Sequence, residues 1–159
     1  MRGKLLQESA IRALVQNIAS CDEVWVVSRG AGENLRSLGY EGDYIVMENG
    51  VDVPRGRVSD EAIAAATGRY DLPQNVPVFL FVGRLMWYKG IRIILDALKT
   101  LREKNVDFRM VFVGEGADGA EIRSYVEERK LSDRCFFTGA ISDREIIRAW
   151  YGRSDLFLF

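Results

Sequence analysis

The 159-residue chain is about the length of one domain, and folded alone it would bury roughly two-thirds of its unfolded surface. Lys and Arg number 22 against 23 Asp and Glu, so there is no net basic charge to hold nucleic acid or an anionic membrane surface. The absence of histidine removes the usual neutral-pH base, the Ser/His and Cys/His nucleophile pairs and the commonest metal ligand, which leaves catalysis to carboxylates, cations or the substrate itself.

Near the start, Leu5, Ile11, Leu14, Val15 and Ile18 share one helical face, and "EVWVVS" then predicts a strand centred on Val24 to Val27. Ser28 can cap a second helix, for which Gly39 is the stop, and "YIVM" at Tyr44 to Met47 makes a second strand. The order so far is αβαβ. The Pro- and Gly-bearing segment "VDVPRGRVSD" reads as a linker with a boundary near Pro54, giving an N-terminal segment 1–52 and a second part 53–159.

Beyond the linker a short helix from Asp60 to Thr67 ends at Gly68, and "VFLFV" at Val78 to Val82 is a strand apolar along its whole length. Arg84 and Lys89 occupy the loop that follows. Ile91, Ile94, Leu95, Leu98 and Leu101 then mark an amphipathic helix. The strand Phe108 to Val113, a helix with Ile122, Tyr125 and Val126 inward, the strand Cys135 to Phe137 and a helix capped by Ser142 with Glu145 come next. "SDLFLF" begins a last strand. Alternation at this spacing predicts an α/β fold, a doubly wound Rossmann-like parallel sheet, whose ligands sit beyond the carboxyl ends of the strands. Cys21 and Cys135, with no ligand-like spacing, read as buried free thiols in a reducing compartment. No signal peptide or apolar run of about eighteen residues stands out, so a soluble, cytoplasmic protein is expected.

A loop that ends a buried strand and opens a helix already aims free N–H groups at an anion. Arg84 adds a planar fork and Lys89 a point charge, a pair suited to a diphosphate, although loop cations are also commonly plain solvated charge. "GEGADG", Gly114 to Gly119, has the G-x-G-x-x-G spacing of a dinucleotide site. The acidic residue expected at the end of the next strand is missing there, where Thr138, Gly139 and Ala140 stand, so NAD binding is the weaker reading and a tight turn the stronger.

"ENGVD" at Glu48 to Asp52, "FVGRLMWYKG" at Phe81 to Gly90, "FVGEG" at Phe112 to Gly116, "FFTG" at Phe136 to Gly139 and the closing "WYGRSDLFLF" follow one another as in the GT-B glycosyltransferases. The chain resembles the group-one, family-four-like, retaining enzymes of that fold along essentially its whole length. The resemblance implies that residues 1–52 close the N-terminal domain and residues 53–159 form part of the donor-binding domain. It implies that Arg84 and Lys89 hold the donor diphosphate and stabilise its departing charge, with Gly83, Gly114, Gly116 and Gly139 in the turns around the nucleotide. Ile141 resembles the apolar residue beside the base, and is equally an ordinary core isoleucine. Trp87 and Tyr88 either cover the diphosphate or an acceptor, or pack on the next helix.

The resemblance further implies transfer of a sugar from a nucleoside-diphosphate donor, with retention, to an acceptor of unassigned class (glycan, lipid-linked or small molecule), without a bound metal or other cofactor. In the family, a pair of glutamates after the strand that begins "DLFLF" completes the donor site, and this sequence stops inside that strand. The expectation is therefore of a fragment, incomplete at both ends for catalysis by itself, with sheet edges open to pairing between chains or with the rest of the enzyme. The alternatives are a non-catalytic nucleotide-binding or interaction module that keeps the cleft, a nucleotide-sugar epimerase and, less favoured, an NAD-binding domain.

Overall fold

The computed structural model describes residues 2–50 and 56–159, and the chain divides into two compact units, Met1–Pro54 and Arg55–Phe159. Residues 51–55, with Pro54 and the end of the "ENGVD" turn, lie outside the described residues, as does the side chain of Leu5.

The first unit runs α1 (Arg2–Ala19), β1 (Trp25–Val26), α2 (Arg29–Ser37) and β2 (Ile45–Val46), the αβαβ order that the sequence predicts. Ile11, Val15 and Ile18, spaced i, i+4, i+7, are half-buried, whereas Leu14 stays exposed at the border of that face. Ser28 caps α2, its Oγ accepting the Ala31 N–H at 3.1 Å, and Gly39 leaves the helix end at φ +99°. The two strands pair in parallel, Trp25 with Ile45 and Val26 with Val46. Cys21 is exposed, not buried as expected, because it falls in the turn just after α1 rather than on a packed face.

In the second unit α3 (Asp60–Thr67) precedes β3 (Val78–Val82), α4 (Ile91–Glu103), β4 (Arg109–Val113), α5 (Gly119–Glu128), β5 (Cys135–Gly139), α6 (Arg144–Arg153) and β6 (Leu156–Phe157). The four strands form one parallel sheet in the order β5-β4-β3-β6. Register decides the faces. Phe79 sits beside Met110 and Phe81 beside Phe112, and these residues, with Cys135 and Phe137, meet Ile91, Leu95 and Leu98 of α4 and Ile122 and Val126 of α5. Leu80 sits beside Val111 and Val82 beside Val113, and with Val78 they meet Trp150 of α6 on the opposite face. The sheet is thus covered on both sides, which is why its strands read as continuous apolar runs instead of alternating ones. Each fully buried Leu or Phe here contributes about 1.5–3 kcal/mol.

Two details depart from expectation. Strand β5 continues to Gly139 through a bulge at Thr138, where the pairing jumps from Phe112–Phe137 to Val113–Gly139. Helix α6 is capped by Asp143, not Ser142: Asp143 Oδ1 accepts the N–H groups of Glu145 (2.8 Å) and Ile146 (3.4 Å). Glu145 turns to Arg148 at 2.7 Å instead of reaching back to close a capping box. Asp143→Ala is therefore expected to lower stability by about 1 kcal/mol, with Ser142→Ala near neutral, as read from urea denaturation midpoints.

Candidate functional site

The carboxyl ends of β3, β4 and β5 bring three loops together, and their backbones are tied directly to one another. Gly83 N donates to Val113 O at 2.9 Å, Leu85 N to Glu115 O at 3.0 Å, Asp118 N to Leu85 O at 3.2 Å, and Gly114 N to Gly139 O at 2.8 Å. Three of the residues singled out from sequence, Gly83, Gly114 and Gly139, therefore lie in one hydrogen-bonded assembly, and Gly116 packs against the Leu85 backbone within it. A side chain at Gly114 would put Cβ 2.0 Å from Gly83 O, and one at Gly116 would put it 2.3 Å from Leu85 O. Loop packing thus accounts for the first two glycines of the G-x-G-x-x-G spacing, with no need of a dinucleotide.

Arg84 lies between Gly83 and Leu85 in this assembly. Leu85 is fully buried, which anchors the loop, while Arg84 is exposed. A short 3-10 turn, Trp87–Lys89, follows and ends at Gly90, whose φ of +77° swings the chain into α4. The turn is fixed from the next loop: Asp118 Oδ2 accepts the Trp87 N–H at 2.8 Å. Asp118 stands at the start of α5 but makes no cap there, since its carboxylate is spent on the neighbouring loop. No periodicity or motif marks this long-range role in the sequence.

The Trp87 indole is half-buried and packs toward the next helix. It meets Tyr125 edge-on, with ring centroids 5.5 Å apart, and the Arg92 guanidinium lies 4.6 Å from its ring centre and 4.9 Å from that of Tyr125. Its Nε1 is buried with no hydrogen-bond partner among the described residues. Behind it, Asp96 accepts from Tyr125 Oη (2.8 Å) and Arg129 (3.3 Å), and the Tyr125 hydrogen bond first, then Arg129, hold the Asp96 carboxyl below its usual range.

Tyr88 points the other way. Its hydroxyl accepts from Arg84 Nη2 at 2.9 Å, and Lys89 Nζ lies 5.3 Å from its ring centre. Among the described residues neither Arg84 nor Lys89 is paired with a carboxylate. Cys135, by contrast, is buried, and burial pushes its thiol up to about 12.

Ile141 parts from this group. It packs against the α6 face of the sheet and lines a cleft of about 430 Å³ with Ala65, Ala66, Arg69, Thr138 and Ser142, a lining that includes neither Arg84 nor Lys89. Its packing against the sheet fits the core role expected of it, whereas the role beside the base is not joined to Arg84 and Lys89 by this cleft. Among the described residues no helix is long and apolar enough to cross a membrane.

Known proteins resemble this chain in sequence and in fold. The sequence profile of the family described as "Glycosyl transferases group 1" matches residues 64–159. The chain is similar to 2-deoxystreptamine glucosyltransferase of Streptomyces kanamyceticus, with 34% identity over 102 residues that cover 64% of this chain and 26% of that protein. It is also similar to O-antigen chain mannosyltransferase C of Escherichia coli, 40% identical over 67 residues, or 42% of this chain and 16% of that one. Among solved structures, the Anabaena protein HepE in complex with UDP-glucose superposes with a TM-score of 0.78 at 21% identity, covering 94% of this chain and 41% of HepE. A glycosyltransferase from Rickettsia africae gives 0.71 at 24% identity, covering 91% and 40%. These structural likenesses show a shared fold, and the chain spans 26% of the first sequence relative and 41% of HepE.

Proposed function

This chain belongs to the group 1 glycosyl transferases, and on that premise we propose that it carries the diphosphate grip of a nucleotide-sugar donor site, with Arg84 and Lys89 as the gripping residues. The observation that carries the reading is the pair of exposed cations, unpaired by carboxylate among the described residues and joined through Tyr88, in the loop at the carboxyl end of β3. The backbone N–H groups that open α4 lie just beyond, and a helix N-terminus adds positive potential for phosphate oxygens. The UDP-glucose bound by HepE supports the same ligand class.

In the whole protein, the reaction is transfer of the sugar with retention. The bond between the anomeric carbon and the donor's phosphate oxygen breaks, its electron pair stays on the diphosphate, and the acceptor oxygen bonds to the anomeric carbon. The acceptor's proton passes to a donor phosphate oxygen. Arg84 and Lys89 stabilise the charge that grows on the leaving diphosphate, the electrostatic term for which loss of one preorganised donor costs about a hundredfold to a thousandfold in rate. Two side-chain cations at this position supply the neutralisation that a metal would otherwise give. Gly83, Gly114, Gly116 and Gly139 shape the turns around the nucleotide, and Ile141, two residues beyond Gly139, is assigned to the base by the family resemblance alone, since its cleft includes neither Arg84 nor Lys89. The acceptor, of unassigned class, is a glycan, a lipid-linked molecule or a small molecule.

Calorimetric titration with UDP, GDP, ADP and NAD at two salt concentrations tests the reading. One nucleoside diphosphate is expected to bind, more weakly at high salt, with no binding of NAD. A folded chain that ignores all three diphosphates, or that prefers NAD, overturns it.

A further inference from the structure

We infer that Tyr88 is a positioning residue that sets Arg84 and Lys89 in a common orientation for a diphosphate, an inference that rests on the donor-site reading above. Tyr88 does not serve the core: its side chain is 63% exposed, whereas its neighbour Trp87 packs inward against Tyr125 and Arg92. Its two polar features are nonetheless both engaged. The hydroxyl takes the Arg84 Nη2 hydrogen bond at 2.9 Å, and the ring face holds Lys89 Nζ at 5.3 Å.

Arg and Lys side chains are long, rich in rotamers and mutually repulsive, so two of them on one short loop would otherwise spread apart in solvent. A tyrosine between them meets both needs. Its oxygen orients the guanidinium and its ring quadrupole attracts the ammonium. Because it is neutral, it cancels neither charge, whereas a carboxylate in the same place would satisfy the cations and compete with the incoming anion. The base of Tyr88 is itself fixed, since the turn that carries it is pinned by the Asp118 hydrogen bond to Trp87 N (2.8 Å) and by the buried Leu85. Orientation set before the ligand arrives lowers the ordering cost of binding.

The test measures pyrophosphate and UDP affinity of the 159-residue chain as wild type, Tyr88→Phe, Tyr88→Ala, Arg84→Ala and the Arg84→Ala, Tyr88→Phe double variant. Tyr88→Phe keeps the ring under Lys89 and loses only the hydroxyl, so its affinity for both probes is expected to fall about threefold. Tyr88→Ala loses both contacts and is expected to fall about tenfold. The Tyr88→Phe loss should vanish in the Arg84→Ala background, a coupling that general damage to the loop would not produce. Melting temperatures should match wild type because the side chain is exposed. An equal loss with and without Arg84 overturns positioning and makes Tyr88 a direct ligand contact. Pyrophosphate binding that depends on Arg84 but ignores Tyr88→Phe and Tyr88→Ala overturns this inference alone, and a wild-type chain that binds neither probe overturns the donor-site reading with it.

Discussion

An Arg84→Ala, Lys89→Ala variant is expected to bind nucleoside diphosphate at least about a hundredfold more weakly than wild type while unfolding at the same urea concentration. A unit charge about 4 Å from a phosphate contributes roughly 4 kcal/mol of gross Coulomb energy at an effective dielectric of about 20, before desolvation. After desolvation a hydrogen bond to a charged group nets about 1.5–3 kcal/mol, so two such contacts correspond to a factor of about a hundred or more. Arg84→Ala alone should weaken binding more than Lys89→Ala, because a planar fork can engage two oxygens at once. The salt dependence should flatten with the charges removed. Stability should stay within about 0.5 kcal/mol, since both side chains are exposed and Tyr88, which they contact, is itself exposed. Unchanged affinity in the double variant would return the two residues to ordinary surface charge.

Much of the second unit can be read directly from the sequence, because burial on both sheet faces leaves a plain signal. "VFLFV" and "RMVFV" are apolar at every position but one, and Ile91, Leu95 and Leu98 mark the buried side of α4 at helical spacing. The position of Arg84 and Lys89 follows from the same rule, since the loop after a parallel strand must emerge at the sheet's carboxyl edge. The contacts that hold the site are harder to see. Asp118 resembles a helix cap, and its true partner, the Trp87 N–H, is 31 residues away in the chain. Asp143 displaced Ser142 as a cap because two acceptors stand side by side there, and local pattern does not decide which one reaches the first free N–H groups. The exposed Cys21 shows the same limit: a cysteine's burial is set by the element around it, and here that element is a turn.

The glycines of "GEGADG" admit a sharper test, because one motif holds positions with different physical demands. Gly114 has φ +133°, which L side chains rarely adopt, and its Cβ would meet the Gly83 carbonyl oxygen at 2.0 Å. Both obstacles are backbone, so no rotamer change relieves them, and the two loops would have to part, breaking Gly83 N to Val113 O and Gly114 N to Gly139 O. Gly114→Ala is therefore expected to destabilise the chain by more than about 3 kcal/mol, combining backbone strain with overpacking. Gly116→Ala should follow closely, with Leu85 O at 2.3 Å. Gly119 is different. Its added methyl would lie 3.8 Å from Leu85 Cδ1, an ordinary contact, at the first residue of α5, where alanine favours the helix by up to about 1 kcal/mol. Gly119→Ala should thus be neutral or stabilising. Urea denaturation of the three variants, with pyrophosphate affinity measured on those that fold, separates loop closure from ligand approach as the reason for these glycines. A Gly114→Ala chain that melts like wild type yet loses affinity would assign the glycine to the ligand, whereas the expected order, Gly114 and Gly116 far below Gly119, assigns it to the joint between the β3 and β4 loops on which Arg84 is mounted.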